Sequence, residues 1–134
     1  MPRYELTTDD ELTRSQKDEL ARAITDVHVA VTGAPPSIVH VIFWTTGAGN
    51  DAYVGGRQRA GTYLQGSVRA GRDADTVSKL LNDLAAAVGR VTGAAAEDVT
   101  VALRETSTHL VLEGGRTVGE PGAENPAFTG STSR

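Results

Sequence analysis

Apolar residues recur at helical intervals through the first third of the chain. Leu20, Ile24, Val27 and Val31 fall on one stripe of a helix. Thr13 followed by Gln16 has the spacing of a capping box, which satisfies two backbone N–H groups at a helix start. Gly33 suits the left-handed residue that ends a helix, and Pro35-Pro36 forbid its continuation. Residues 3 to 8 read as an extended segment. Ile38 to Trp44, rich in β-branched and aromatic residues, reads as a mostly buried strand.

The same pattern returns 60 residues later. Val31-Thr32-Gly33 becomes Val91-Thr92-Gly93, Leu20 becomes Leu80, Ile24 becomes Leu84, and Val39 and Val41 become Val99 and Val101. Several apolar matches in one register indicate a duplication. The second unit predicts a strand over Thr62 to Arg69 and a helix capped by Asp73 or Asp75. The stripe of that helix is Val77, Leu80, Leu81, Leu84, Val88 and Val91; Gly93 ends it, and a strand over Val99 to Arg104 closes the unit. Two tandem βαβ units, residues 2–45 and 62–105, give an α/β (α+β) domain: a four-stranded sheet with two helices on one face. The other sheet face then needs cover. The linker, residues 46–61, holds five glycines and reads as a loop. In the C-terminal segment, residues 106–134, the stretch from 117 onward reads as a weakly ordered tail.

Composition narrows the chemistry. With 134 residues, 39% hydrophobic and 22% charged, the chain is one ordinary domain able to bury a core. The absence of cysteine excludes disulfides, thiolate catalysis and cysteine-ligated zinc. No apolar run has the length of a membrane span or the layout of a signal peptide, so the expected location is cytoplasmic, with no membrane partner. A net charge of −4 argues against nucleic acid as a partner. Yet residues 54–72 carry Arg57, Arg59, Arg69 and Arg72 without an acidic residue. That island is either a solvated loop or a pocket for a small anion, since arginine forks match carboxylates.

Pro2 adds a candidate reactive group. Initiator methionine is usually removed before a small residue, which here would leave a secondary amine. The offset of 60 sets Pro2 opposite Thr62, at the start of a strand, where a rigid element would hold it.

The residues now in hand resemble the tautomerase superfamily, in detail its cis-3-chloroacrylic acid dehalogenase group. The resemblance is carried by Pro2 opening a strand; by Ala23-Ile24-Thr25-Asp26-Val27-His28 and Val31-Thr32-Gly33; and by Ala48-Gly49-Asn50 and Gly55-Gly56. Arg69-Ala70-Gly71-Arg72, Glu113 with Gly115-Arg116, and Pro121-Gly122 continue it. It implies a homotrimer acting on a small carboxylate substrate. Pro2 would be the catalytic amine, Arg69, Arg72 and His28 would bind the substrate carboxylate, and Glu113 would orient or activate a water. No cofactor and no metal are expected. The implied activity is keto–enol tautomerisation of a 2-oxo acid such as an arylpyruvate. The dehalogenases carry a catalytic tyrosine on the last strand of the second unit, where this chain has Ala102. This chain also has one residue fewer between Pro2 and His28, and a shorter tail. The alternatives are hydration or dehalogenation of a three-carbon acid, and a non-catalytic, anion-binding oligomeric domain.

On the residues alone, each site has a plainer reading. His28 could be a helix-end histidine near terminal carbonyls. Arg72 could merely flank a helix start, Arg69 could face solvent in alternation with Ser67 and Gln65, and Glu113 could be a turn carboxylate. Phe43, Trp44 and Tyr63 read as core or interface.

Overall fold

The computed structural model describes residues 1–47, 51–120 and 123. Ala48-Gly49-Asn50, Pro121-Gly122 and residues 124–134 lie outside the described residues. Strand β1 (Arg3–Thr8) leads into helix α1 (Arg14–Thr32), and β2 (His40–Thr45) returns parallel to β1. A hairpin of β3 (Tyr53–Val54) and β4 (Arg57–Gln58) follows. The second unit is β5 (Thr62–Arg69), α2 (Ala74–Thr92) and β6 (Val99–Thr106), and a hairpin of β7 (Leu112–Glu113) and β8 (Arg116–Thr117) comes after it. The main sheet has the order β2-β1-β5-β6, with β1 and β5 antiparallel at its centre. No helix among the described residues is long and apolar enough to cross a membrane.

The helix ends follow the sequence signals. Thr13 and Gln16 form the reciprocal capping box, and Asp73, rather than Asp75, caps α2 by accepting from the Thr76 N–H at 2.8 Å. Gly33 and Gly93 end the helices in the left-handed conformation, φ 75° and 77°. The strand predicted over Ile38 to Trp44 begins later, at His40, because Pro36–Ile38 form a single 3₁₀ turn. A proline pair fixes φ and removes two donors, which suits a turn better than a ladder. The 46–61 linker is not all loop. Gly55 and Gly56, at φ 59° and 80°, supply the two positive-φ positions of a tight hairpin turn, and Gly114-Gly115 repeat it at 58° and 78°. The closing strand runs two residues past Arg104, and Val118 packs in with 6% exposure.

Alternation sorts the sheet into two faces. Tyr4, Leu6, Leu64 and Val68 face the helices and meet Leu20, Ile24, Leu80, Leu84 and Val88 in one buried cluster. Burying each such aliphatic side chain contributes about 1.5–3 kcal/mol. Arg3, Glu5, His40, Ile42, Trp44, Gln65, Ala102 and Arg104 occupy the opposite face by register. There Trp44 is 56% exposed and donates its indole N–H to Glu5 at 2.9 Å. Trp44 is therefore no part of the core of one chain, whereas Phe43 packs against that core.

Candidate active site

Two neighbouring cavities share the N-terminal end of β1. One, of about 210 Å³, is lined by Pro2, His28, Thr32, Arg69 and Arg72 among others. The other, of about 330 Å³, is lined by Arg3, His40, Ser67, Thr106 and Glu113 among others. Met1 belongs to the walls of both. Its amino group is ion-paired with Glu113 and donates to the Ile38 carbonyl at 3.4 Å. The Pro2 nitrogen here sits in the Met1–Pro2 peptide bond, and the Pro2 carbonyl accepts from the His40 N–H at 3.0 Å, which docks the chain start onto β2.

The five residues singled out in the sequence thus fall into two groups. Pro2, His28, Arg69 and Arg72 line the first cavity; Glu113 lines the second and reaches the first group through the chain start. The arginine island divides. Arg59 leaves for Asp98 at 2.9 Å, Arg57 is exposed on β4, and only Arg69 and Arg72 enter the cavity. Arg69 ends β5 with 5% exposure, so it is no solvent-facing residue of the strand. Arg72 stands just before the Asp73 cap and donates to the Arg69 carbonyl at 2.9 Å. This bond ties the two guanidinium-bearing residues into one turn. Burial, reinforced by the Arg69 charge and opposed by Tyr4 and Glu105, draws the Arg72 pKa below its ordinary value. Two crowded cations beside a helix start favour an anion between them.

His28 is not a helix-end residue reaching for carbonyls. It is 1% exposed, its Nδ1 lies 2.7 Å from the Tyr4 hydroxyl oxygen, and its Nε2 has no hydrogen-bond partner among the described residues. Burial, followed by the charges of Arg72, the N-terminus and Arg69, lowers its pKa to about 4. The ring is therefore neutral near pH 7. Burial raises the Tyr4 phenol, with Arg72 opposing, so that hydroxyl stays protonated.

Sequence reasoning missed two residues. Tyr4 carries a signal in the duplication itself: the offset of 60 pairs Tyr4 with Leu64 and His28 with Val88, polar residues where the copy is apolar. His40, whose Nε2 is 3.4 Å from Glu113 Oε2, looked like one more strand residue, and only the fold brings it to the chain start. Ala102 faces the open side of the sheet opposite Gln65, in a separate groove with Arg3, Glu5 and Arg104. Among the described residues, no group of histidine, aspartate or glutamate side chains is arranged to hold a metal ion.

A family model described as a putative oxalocrotonate tautomerase enzyme matches residues 1–128. The chain belongs to this tautomerase family. Solved structures agree. The native form of Ps01740 superimposes with a TM-score of 0.75 at 33% identity, covering 83% of this chain and 99% of that one. N1, a member of the cis-3-chloroacrylic acid dehalogenase family, gives a TM-score of 0.84 at 24% identity over 90% of this chain and 85% of its own. A fused 4-OT described as an asymmetric trimer gives 0.80 at 20% identity, covering 86% and 94%. No curated protein sequence matches. The tautomerase fold, with its duplicated βαβ units, is thereby shown for this chain.

Proposed function

We propose that this tautomerase-family protein is an enzyme that uses the secondary amine of Pro2, freed by removal of Met1, to interconvert the keto and enol forms of a small 2-oxo acid. The observation that carries this reading is the grouping of Pro2, Arg69, Arg72 and His28 around one cavity. Met1 lines both cavities, so its removal would join them into one site around the new amine. Arg69 and Arg72 line the same cavity, and a cation pair there disfavours an ammonium beside it, which suits an amine that acts as a base.

In the enolising direction, the amine takes a proton from carbon 3 and, as the prolinium, returns one to the 2-oxygen directly or through water, which regenerates the free amine. Ketonisation reverses this, with the enol hydroxyl losing its proton and carbon 3 receiving one from the prolinium. Arg69 and Arg72 hold the carboxylate and offset the negative charge that develops on the 2-oxygen; a preorganised donor of this kind supplies about 10²–10³ in rate. His28 is the third donor at the carboxylate end.

Hydration or dehalogenation of a three-carbon acid needs a water activated on the far side of the double bond. The Glu113–His40 contact favours this second reading, because both groups stand at the chain start. Ala102 counts against it, since a methyl group cannot position a water. We therefore expect tautomerisation to dominate. A homotrimer would cover the open sheet face and the exposed Trp44, Tyr53, Val54, Leu110 and Leu112. Three similar fused 4-OT structures are described as trimers.

The test is phenylenolpyruvate ketonisation measured beside cis-3-chloroacrylate turnover. Efficient ketonisation with slow dehalogenation is expected. Efficient dehalogenation with ketonisation at background would overturn the reading.

A further inference from the structure

The core of the first unit contains a polar pair that the fold does not require. Tyr4 and His28 are 0% and 1% exposed, and their rings meet edge to face with centroids 5.6 Å apart. At the matching positions of the second unit, Leu64 and Val88 complete the same core with no polar atom. Two hydrogen-bonding side chains buried here must therefore be explained by something other than packing.

Their hydrogen bond has one consistent assignment. The Tyr4 phenol stays protonated, and His28 Nδ1 is the partner its hydroxyl has. A buried hydroxyl with a single partner able to accept donates to it. Nδ1 then carries no proton, and the ring, neutral near pH 7, carries its proton on Nε2. That nitrogen has no partner among the described residues, and His28 lines the same cavity as Pro2 and the two arginines. A buried donor left unsatisfied is costly unless a ligand completes it.

Packing holds the pair in place. Gly66 lies opposite Tyr4 in the β1–β5 ladder, and a Cβ there would come within 2.6 Å of the Tyr4 ring and 2.8 Å of Leu103. The bare glycine makes room for the ring that orients the imidazole.

We propose that Tyr4 is a positioning residue: it fixes His28 as the neutral Nε2–H tautomer, which donates to an oxygen of the 2-oxo acid held by Arg69 and Arg72. The inference rests on the 2-oxo acid reading of the site. A neutral donor adds a directed hydrogen bond without placing a third cation beside the arginines. The charged and titratable groups facing the ring are the chain-start amine, Arg69, Arg72 and Tyr4 itself.

Long-range proton–nitrogen correlation spectra of histidine-labelled protein at pH 7 test this, with His28→Val assigning the signals. In the unsubstituted protein, Nδ1 should be of the unprotonated type, moved upfield by the bond it accepts, and Nε2 should be protonated. In Tyr4→Phe, the Nδ1 signal should move downfield to the value of a free unprotonated nitrogen. The kcat/KM for phenylenolpyruvate should fall about 10- to 100-fold, as when an orienting partner behind a metal-bound histidine is removed. A proton on Nδ1, or an imidazolium at pH 7, in the unsubstituted protein would overturn the proposal. So would an unchanged rate in Tyr4→Phe once its Nδ1 signal has moved. If Tyr4→Phe does not fold, the spectrum of the unsubstituted protein still decides the tautomer. Wild-type ketonisation by Pro2→Ala, with the expected tautomer intact, would refute the role of Pro2 and leave that of Tyr4 standing.

Discussion

Replacing Tyr4 by Leu and His28 by Val writes the second unit's own pair, Leu64 and Val88, into the first. The effect on stability should depend on pH in a way the structure dictates. His28 has an ordinary pKa of 6.5, lowered in the folded chain to about 4, chiefly by burial. Between those values the unfolded chain binds the extra proton, so stability falls as pH falls through the window and the loss is complete below about pH 4. The loss amounts to roughly 1 kcal/mol at pH 5.5 and grows to roughly 3 kcal/mol at and below pH 4.5. The double variant lacks the titrating group and should not show this component. Any packing cost of the smaller side chains is the same at every pH and drops out of the comparison. Urea unfolding of both proteins at pH 7.0, 5.5 and 4.5, at one protein concentration, gives the difference directly, because the carboxylates titrate in both. Stability differences that stay constant across the three pH values would refute the reasoning and show that His28 titrates normally when folded.

Arg69→Ala or Arg72→Ala should each raise KM or lower kcat/KM about 10- to 1,000-fold, since a charge-assisted bond contributes about 1.5–3 kcal/mol and more when desolvated; steady-state kinetics with phenylenolpyruvate checks this, and wild-type kinetics for both would place the site elsewhere. Gly66→Ala should cost about 1–3 kcal/mol in urea unfolding, because its Cβ meets the Tyr4 ring and Leu103 at once; an unchanged midpoint would mean that the ring moves freely.

Most of the fold was legible because its signals are local and repeated. A stripe of Leu20 and Ile24, echoed by Leu80 and Leu84, fixes two helices and their common face, and the Thr13, Gly33 and Gly93 caps fix their ends. The hairpins were harder to read. Strands of two residues have no periodicity, and only the paired glycines at 55–56 and 114–115 mark them. The arginine cavity was legible through the spacing of Arg69 and Arg72, but the division of the island was not, since Asp98 withdraws Arg59 from 39 residues away. His40 was missed for the same reason: it is an ordinary strand residue in sequence, and its partner Glu113 arrives only with the fold. Tyr4 left a signal only in the comparison of the two units, where its counterpart Leu64 is apolar.

The account turns on Pro2 being a free amine within reach of a carboxylate held by Arg69 and Arg72. Incubation with 2-oxo-3-pentynoate, a 2-oxo acid bearing a conjugated alkyne, probes this most directly when followed by intact mass and peptide mapping. The account predicts a chain lacking Met1 that gains one adduct, located on the Pro2 nitrogen, with labelling slowed in Arg72→Ala. A chain active in ketonisation that retains Met1, or an adduct on another residue with Pro2 unmodified, would contradict it.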